Sequence, residues 1–185
     1  AVLRALQRQA AALAPAFSPQ DIANCLWALA KLGATPDVAM LSALGSRLRV
    51  TLSGFKPMEV SSTAWAVAKL EQVSEDEKRL IVIALHECLM DGGSGSARLR
   101  GLTAQGAANC LWGFARCEPP PPPQLVAHLL SQASRTSSAI SAQGLANLCS
   151  SCAKLGGLPS VPLALLDSRA TLDDLMAADV AEVAW

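Results

Sequence analysis

Residues 17–32 read FSPQDIANCLWALAKL, and the pattern returns along the chain. It recurs as FKPMEVSSTAWAVAKL at 55–70, as LTAQGAANCLWGFARC at 102–117 and as ISAQGLANLCSSCAKL at 140–155; a fifth copy, LMAADVAEVAW, begins at Leu175. All four tryptophans, Trp27, Trp65, Trp112 and Trp185, stand ten residues after the start of a copy, and the fourth copy has Ser150 there. The starts are 38, 47, 38 and 35 residues apart. A self-similar unit of this length predicts a stack in which each unit is one supersecondary element that buries its apolar face on its neighbours. The expected fold class is all-α: an α-solenoid of helix-turn-helix repeats with a period near 38 residues and no strand.

The boundaries follow from the register. A half-repeat covers 1–16, and repeats cover 17–54, 55–101, 102–139 and 140–174; a truncated repeat covers 175–185. The long second spacing is explained by Asp91 to Gly101, DGGSGSARLRG, whose Gly and Ser content predicts a flexible loop insertion at 91–101. The chain starts and stops inside units, so it reads as a piece of a longer repeat protein with apolar surface at both ends.

Within the first copy, Ser18 and Pro19 predict an N-cap followed by proline at the first helical position. Ile22, Ala23, Leu26, Leu29 and Ala30 keep a helical period, and Gly33 stands where a left-handed cap closes the helix. Asp37 then caps a second helix through Met40, Leu41, Leu44 and Leu48 to about Leu52. The turn between helices is proline-rich in the third copy, Pro119 to Pro123, and contains Pro159 in the fourth. The tryptophans are expected to be mostly buried at junctions between units.

Hydrophobic residues make up 51% of the chain and charged residues 16%, enough apolar material for a core. The formal net charge is zero, which counts against a strongly electropositive surface but leaves the distribution of charge open. No apolar run approaches the ~20 residues of a membrane span. The six cysteines fall in the repeat register: Cys25 and Cys110 share one position, and Cys149, Cys152 and Cys117 replace Leu26, Leu29 and Leu32. They read as small core residues, and unpaired thiols fit a reducing compartment.

Projected at about 100° per residue, the first helix gathers Gln20, Asp21, Asn24, Ala28 and Lys31 on its polar side. The Lys31 position is Lys69, Arg116 and Lys154 in the next three copies. This reads either as a ladder of cations or as cations favoured at helix C-termini. The Asn24 position is Ser62, Asn109, Asn147 and Glu182, which fits a structural hydrogen-bond ladder between units or contact with a ligand. The Asp21 position varies as Glu59, Gly106, Gly144 and Asp179, as a reader of one base per unit would require. The Ala28 position holds Ala66, Gly113 and Ser151, small residues expected to leave the concave side open.

The unit length, a first helix of the form PQ-x-x-A-N-x-L-W-A-x-A-K-L (Pro19, Gln20, Ala23, Asn24, Leu26, Trp27, Ala28, Ala30, Lys31, Leu32) and a proline-rich turn resemble the octotricopeptide repeat proteins. The chain is also similar to the helical repeats of FAST-kinase-like proteins that carry a RAP domain and to subunits of RNA-editing substrate-binding complexes. The likeness runs from Phe17 onward; the fourth copy departs from it by lacking the tryptophan. It implies an RNA-binding α-solenoid of chloroplasts or mitochondria, acting in RNA stability, processing, editing or translation. The implied partners are single-stranded RNA and other proteins of an RNA-processing complex.

No catalytic, metal or cofactor signature is present. His86 and His128 stand at different offsets in second helices, without ligand-spaced neighbours, and read as surface or boundary residues. Glu75, Asp76 and Glu77 read as acids at a helix start. The leading expectation is a non-catalytic single-stranded RNA binder. In it Lys31, Lys69, Arg116 and Lys154 contact the backbone, and Asp21, Glu59, Gly106 and Gly144, supported by Asn24, Asn109 and Asn147, contact bases. The alternative is a protein-interaction scaffold using the concave face of the same solenoid.

Overall fold

A computed structural model describes residues 2–135 and 140–156 of the chain. Among these the protein is all-α, with nine α-helices packed antiparallel and no sheet. They are α1 (Val2–Leu13), α2 (Pro19–Lys31), α3 (Val38–Thr51), α4 (Pro57–Lys69), α5 (Glu75–Met90), α6 (Ser94–Gly101), α7 (Ala104–Phe114), α8 (Pro123–Arg135) and α9 (Ala142–Lys154). The fifth sequence copy, with Trp185, and the second half of the fourth lie outside the described residues.

Local chemistry places the boundaries. Ser18 and Asp21 form a reciprocal capping box at the start of α2, with Pro19 at its first position. Gly33 closes that helix at φ 58°, a left-handed conformation that a β-carbon would disfavour. Asp37 accepts a hydrogen bond from Ala39 N at the head of α3, and Ser74 and Glu77 cap α5. Thr103 and Ser141 cap α7 and α9 through the amides of Gly106 and Gly144.

The first helices of the four copies pack in sequence: α2 on α4, α4 on α7, and α7 on α9. The intervening helices form a second layer, α1 against α3, α3 against α5, and α5 and α6 against α8. One apolar core runs between the layers, through Ile22, Leu26, Leu44, Leu48, Val60, Ile81, Leu85, Leu111, Phe114, Leu125 and Leu129. Leucines dominate it because the helix-to-helix spacing is filled by γ-branched side chains in helical rotamers. Cys88, Cys110, Cys117 and Cys152 are buried in this packing, and Cys25 and Cys149 are half-buried. Burial pushes the Cys117 thiol up to about 11, so it packs as a neutral apolar group.

Residues 91–101 are not a flexible loop. Ser94–Gly101 form α6, and Gly95 lets it approach the end of α5 so closely that a β-carbon there would lie 2.7 Å from Leu89 O. Arg98 locks α6 in place. Its buried guanidinium donates to Phe55 O (2.9 Å), Cys88 O (3.1 Å), Ser53 O (2.7 Å) and Ser94 Oγ (2.8 Å). Composition misled here because glycine was serving close packing and serine was serving side-chain hydrogen bonds.

The Arg98 contact has equivalents. Arg47 Nε donates to Phe17 O (2.8 Å), and Gln132 Nε2 donates to Leu102 O (2.7 Å). In three copies, then, a side chain of the second layer fastens the carbonyl of the copy's first residue, which otherwise ends a chain turn without a helical partner.

Burial corrects three sequence readings. Trp112 is 4% exposed and Trp65 is half-buried, but Trp27 is 47% exposed. Among the described residues α2 has no first helix packed on its N-terminal side, so its Trp lacks the cover that Trp65 and Trp112 receive. His86 is buried, edge-on to Phe114 with ring centroids 4.5 Å apart, whereas His128 is exposed. The small residues at the Ala28 position do not open a face. Ala66, Gly113 and Ser151 are buried, and a β-carbon on Gly113 would overlap the carbonyl oxygen of Ala64. They let successive first helices approach one another.

Candidate nucleic-acid interface

The four basic positions sit at or just beyond the last turn of α2, α4, α7 and α9. The Lys31 ammonium lies 5.8 Å from the Trp27 ring centroid and 5.9 Å from that of Trp65. Lys69 Nζ is 4.9 Å from the Trp112 ring, and the Arg116 guanidinium is 4.2 Å from the same ring. Arg116 Nη2 also donates to Ser150 Oγ at 2.6 Å. Each cation of the first three copies therefore reaches the tryptophan position of the following copy. The fourth, Lys154, is exposed at the end of α9.

The Asp21 position is the third residue of each first helix, and its occupants serve the helix start. Asp21 Oδ2 accepts from Ser18 N (2.9 Å) and Ser18 Oγ (2.7 Å), bonds that hold its carboxyl below the usual range. Glu59 Oε2 accepts from Lys56 N (2.7 Å). Gly106 and Gly144 are buried, each donating its amide to the capping hydroxyl. Occupants of this position serve the helix start: the acids reach back to the cap, and the glycines give their amides to the capping hydroxyl. A β-carbon on Gly144 would overlap Gln105 Oε1. Asp21, Glu59, Gly106 and Gly144, expected as base contacts, all lie outside the groove described next.

A groove of about 470 Å³ crosses the first helices obliquely. It starts at Trp27 and Lys31 in the last turns of α2 and passes Ser62 and Trp65 in α4 and Gln105 and Asn109 in α7. It ends at Ser141, Gln143 and Asn147 at the start of α9. Two of the three predicted asparagines line it, with Ser62 from the same register; Asn24 lies outside, exposed on α2.

Its polar wall is ordered. Ser141 Oγ donates to Gln105 Oε1 (2.6 Å), and Gln105 Nε2 donates to Asn109 Oδ1 (3.1 Å). This chain spends the Asn109 oxygen and leaves its amide nitrogen as a donor. Asn147 is 4% exposed, and its side-chain amide makes no hydrogen bond among the described residues. The buried, unpaired side-chain atoms among the described residues are Thr63 Oγ1, His86 Nε2 and Trp112 Nε1, so the Asn147 amide keeps an opening to the groove, with a donor and an acceptor to offer there.

Gln105, Gln143 and Ser141 were missed by the sequence reading. A signal existed: the second residue of the first helix is Gln20, Gln105 and Gln143 in three of four copies. The groove thus combines two indole surfaces, one cation held between them, and a row of amides and hydroxyls. Comparison of the chain with protein-family models and with curated proteins finds no match.

Proposed function

We propose that the copies build an α-solenoid with a unit near 38 residues, resembling the octotricopeptide repeats, and that its oblique groove binds single-stranded RNA without catalysis. The observation that carries this reading is the unpartnered Asn147 amide facing the same groove as Trp27, Trp65 and Lys31. Unpaired bases need a π surface for stacking and polar groups along their edges, and phosphates need cations. The groove supplies all three. The resemblance implies a role in a chloroplast or mitochondrion, in RNA stability, processing, editing or translation, alongside other proteins of an RNA-processing complex.

The test is fluorescence anisotropy of a labelled random single-stranded RNA pool at two salt concentrations. Affinity should fall as salt rises, because phosphate contacts release counterions. Trp27→Ala should weaken binding by ~1–3 kcal/mol, the contribution of one stacked base. If the pool does not bind at low salt while a peptide library does, the groove is a protein-docking surface instead.

A further inference from the structure

Helix α6, which accounts for the 47-residue spacing where the neighbouring spacings are 38, takes no part in the groove. It instead builds one wall of a second hollow, of about 170 Å³, against α8. Ser96 and Arg100 come from α6; His128, Ser131 and Arg135 come from α8. The α8 residues stand at i, i+3 and i+7 and so share one face of the helix. No acidic side chain lines the hollow. Neither Arg100 nor Arg135 is in an ion pair among the described residues, where the pairs found are Lys78–Glu75 and Arg79–Asp76.

The chain carries 15 acidic residues against 15 basic ones, so counter-charge was available and is not placed here. Two guanidiniums lining one hollow without it repel each other in the folded protein, and a bound anion relieves that repulsion. The wall is also rigid. Arg98, two residues before Arg100, holds α6 by four hydrogen bonds, and Gln132 of α8 donates to Arg100 O (3.1 Å). Guanidiniums carried on fixed helices and flanked by hydroxyl donors suit the oxygens of a tetrahedral anion. The volume corresponds to about five or six waters, room for one such group rather than for a nucleobase and its sugar.

We propose that the α6–α8 hollow is a phosphate-binding site, separate from the groove, with Arg100 and Arg135 as its charged ligands and Ser96 and Ser131 as neutral donors. The phosphate is either a free or terminal monoester or a phosphodiester of a nucleic-acid strand, and one experiment distinguishes them. Isothermal titration calorimetry of the whole chain is run with inorganic phosphate, with a 5′-phosphorylated RNA oligonucleotide and with its 5′-hydroxyl counterpart. Inorganic phosphate should bind at millimolar concentration or tighter. Arg100→Gln and Arg135→Gln should each weaken it roughly tenfold or more, the effect of losing a charge-assisted hydrogen bond. The Ser96→Ala/Ser131→Ala double variant should weaken it severalfold, and Arg49→Gln, an exposed arginine of α3 outside both the hollow and the groove, should leave it unchanged.

All these side chains except Ser96 are exposed, so the variants should keep the wild-type far-ultraviolet circular dichroism. Arg100-dependent preference for the 5′-phosphorylated oligonucleotide identifies a monoester site, and equal Arg100-dependent binding of both identifies a phosphodiester site. Absence of phosphate binding, or binding that both arginine variants retain in full, overturns the proposal.

Discussion

Arg116 Nη2 donates a 2.6 Å hydrogen bond to Ser150 Oγ, and Ser150 is the residue that stands where the earlier copies carry tryptophan. The same guanidinium lies 4.2 Å from the Trp112 ring centroid. It thus repeats the reach of Lys31 to Trp65 and of Lys69 to Trp112, with a hydroxyl in place of the indole. A cation at this register joins one first helix to the next whether the receiving group is a ring or a hydrogen-bond acceptor.

Arg116→Ala should therefore destabilise the protein by about 1–3 kcal/mol, from a cation–π contact and a charged hydrogen bond in a half-buried setting. Lys154→Ala, at an exposed site, should stay within about 0.5 kcal/mol of wild type. Urea denaturation of the two variants checks this. Equal midpoints would mean that the cation contributes no coupling between helices.

Gly113 marks the closest approach of two first helices. A β-carbon there would sit 2.6 Å from the Ala64 carbonyl carbon, so Gly113→Ala must push α7 away from α4. The expected loss is about 1–3 kcal/mol, although alanine is the better helix former. Ala28→Gly, at the same register on the exposed side of α2, should lose only the ~1 kcal/mol of helix propensity. Thermal unfolding of both variants separates the two causes; a Gly113→Ala protein as stable as wild type would show that the helices can move apart freely.

These positions show what was legible in the chain. Helix starts could be read at Ser18, Pro19, Asp37 and Ser74 because a cap is a local event, written in adjacent residues. The period predicted which face of each first helix is apolar. It could not tell whether a small residue leaves space or removes it: Gly113 looks open on a helical wheel and is closed by a neighbour 49 residues away in sequence. The same limit hid α6, whose glycines signalled a loop until Arg98 found its four partners. At the site, Lys31, Asn109 and Asn147 were legible as recurring polar positions. The capping role of Asp21 was equally local but was read as a variable contact instead. The oblique line of the groove, which joins the end of α2 to the start of α9, depends on the stagger between helices and has no local signature.

His86 is buried with its Nε2 unpaired, and burial holds its pKa down to about 4 from the ordinary 6.5. The unfolded chain therefore binds a proton at a pH where the folded one does not. Above pH 6.5 both states are neutral and stability is unaffected by this group; as pH falls from 6.5 towards 4 the unfolded state gains protons and stability drops, by up to about 3 kcal/mol. His86→Phe should flatten that part of the stability profile while keeping an aromatic edge near Phe114. The check is the unfolding free energy of both proteins across this range; parallel profiles would exclude His86 as the source.

Asn147 sets stability against binding at one atom group. The residue is 4% exposed, and its amide meets the groove without a hydrogen bond among the described residues, so it keeps less hydration in the folded protein than in the unfolded chain. Leucine matches it in size and carries no polar atoms. Asn147→Leu should raise stability by about 1 kcal/mol, as expected where a polar group is kept for function at a cost in folding. If the groove reads RNA bases, the same change should weaken single-stranded RNA binding by ~1–3 kcal/mol, through loss of an edge contact that a bound base would complete. Chemical denaturation and RNA anisotropy on one preparation give both numbers. A more stable variant with undiminished RNA affinity would remove Asn147 from the interface, and a less stable one would show that its amide is already satisfied within the fold.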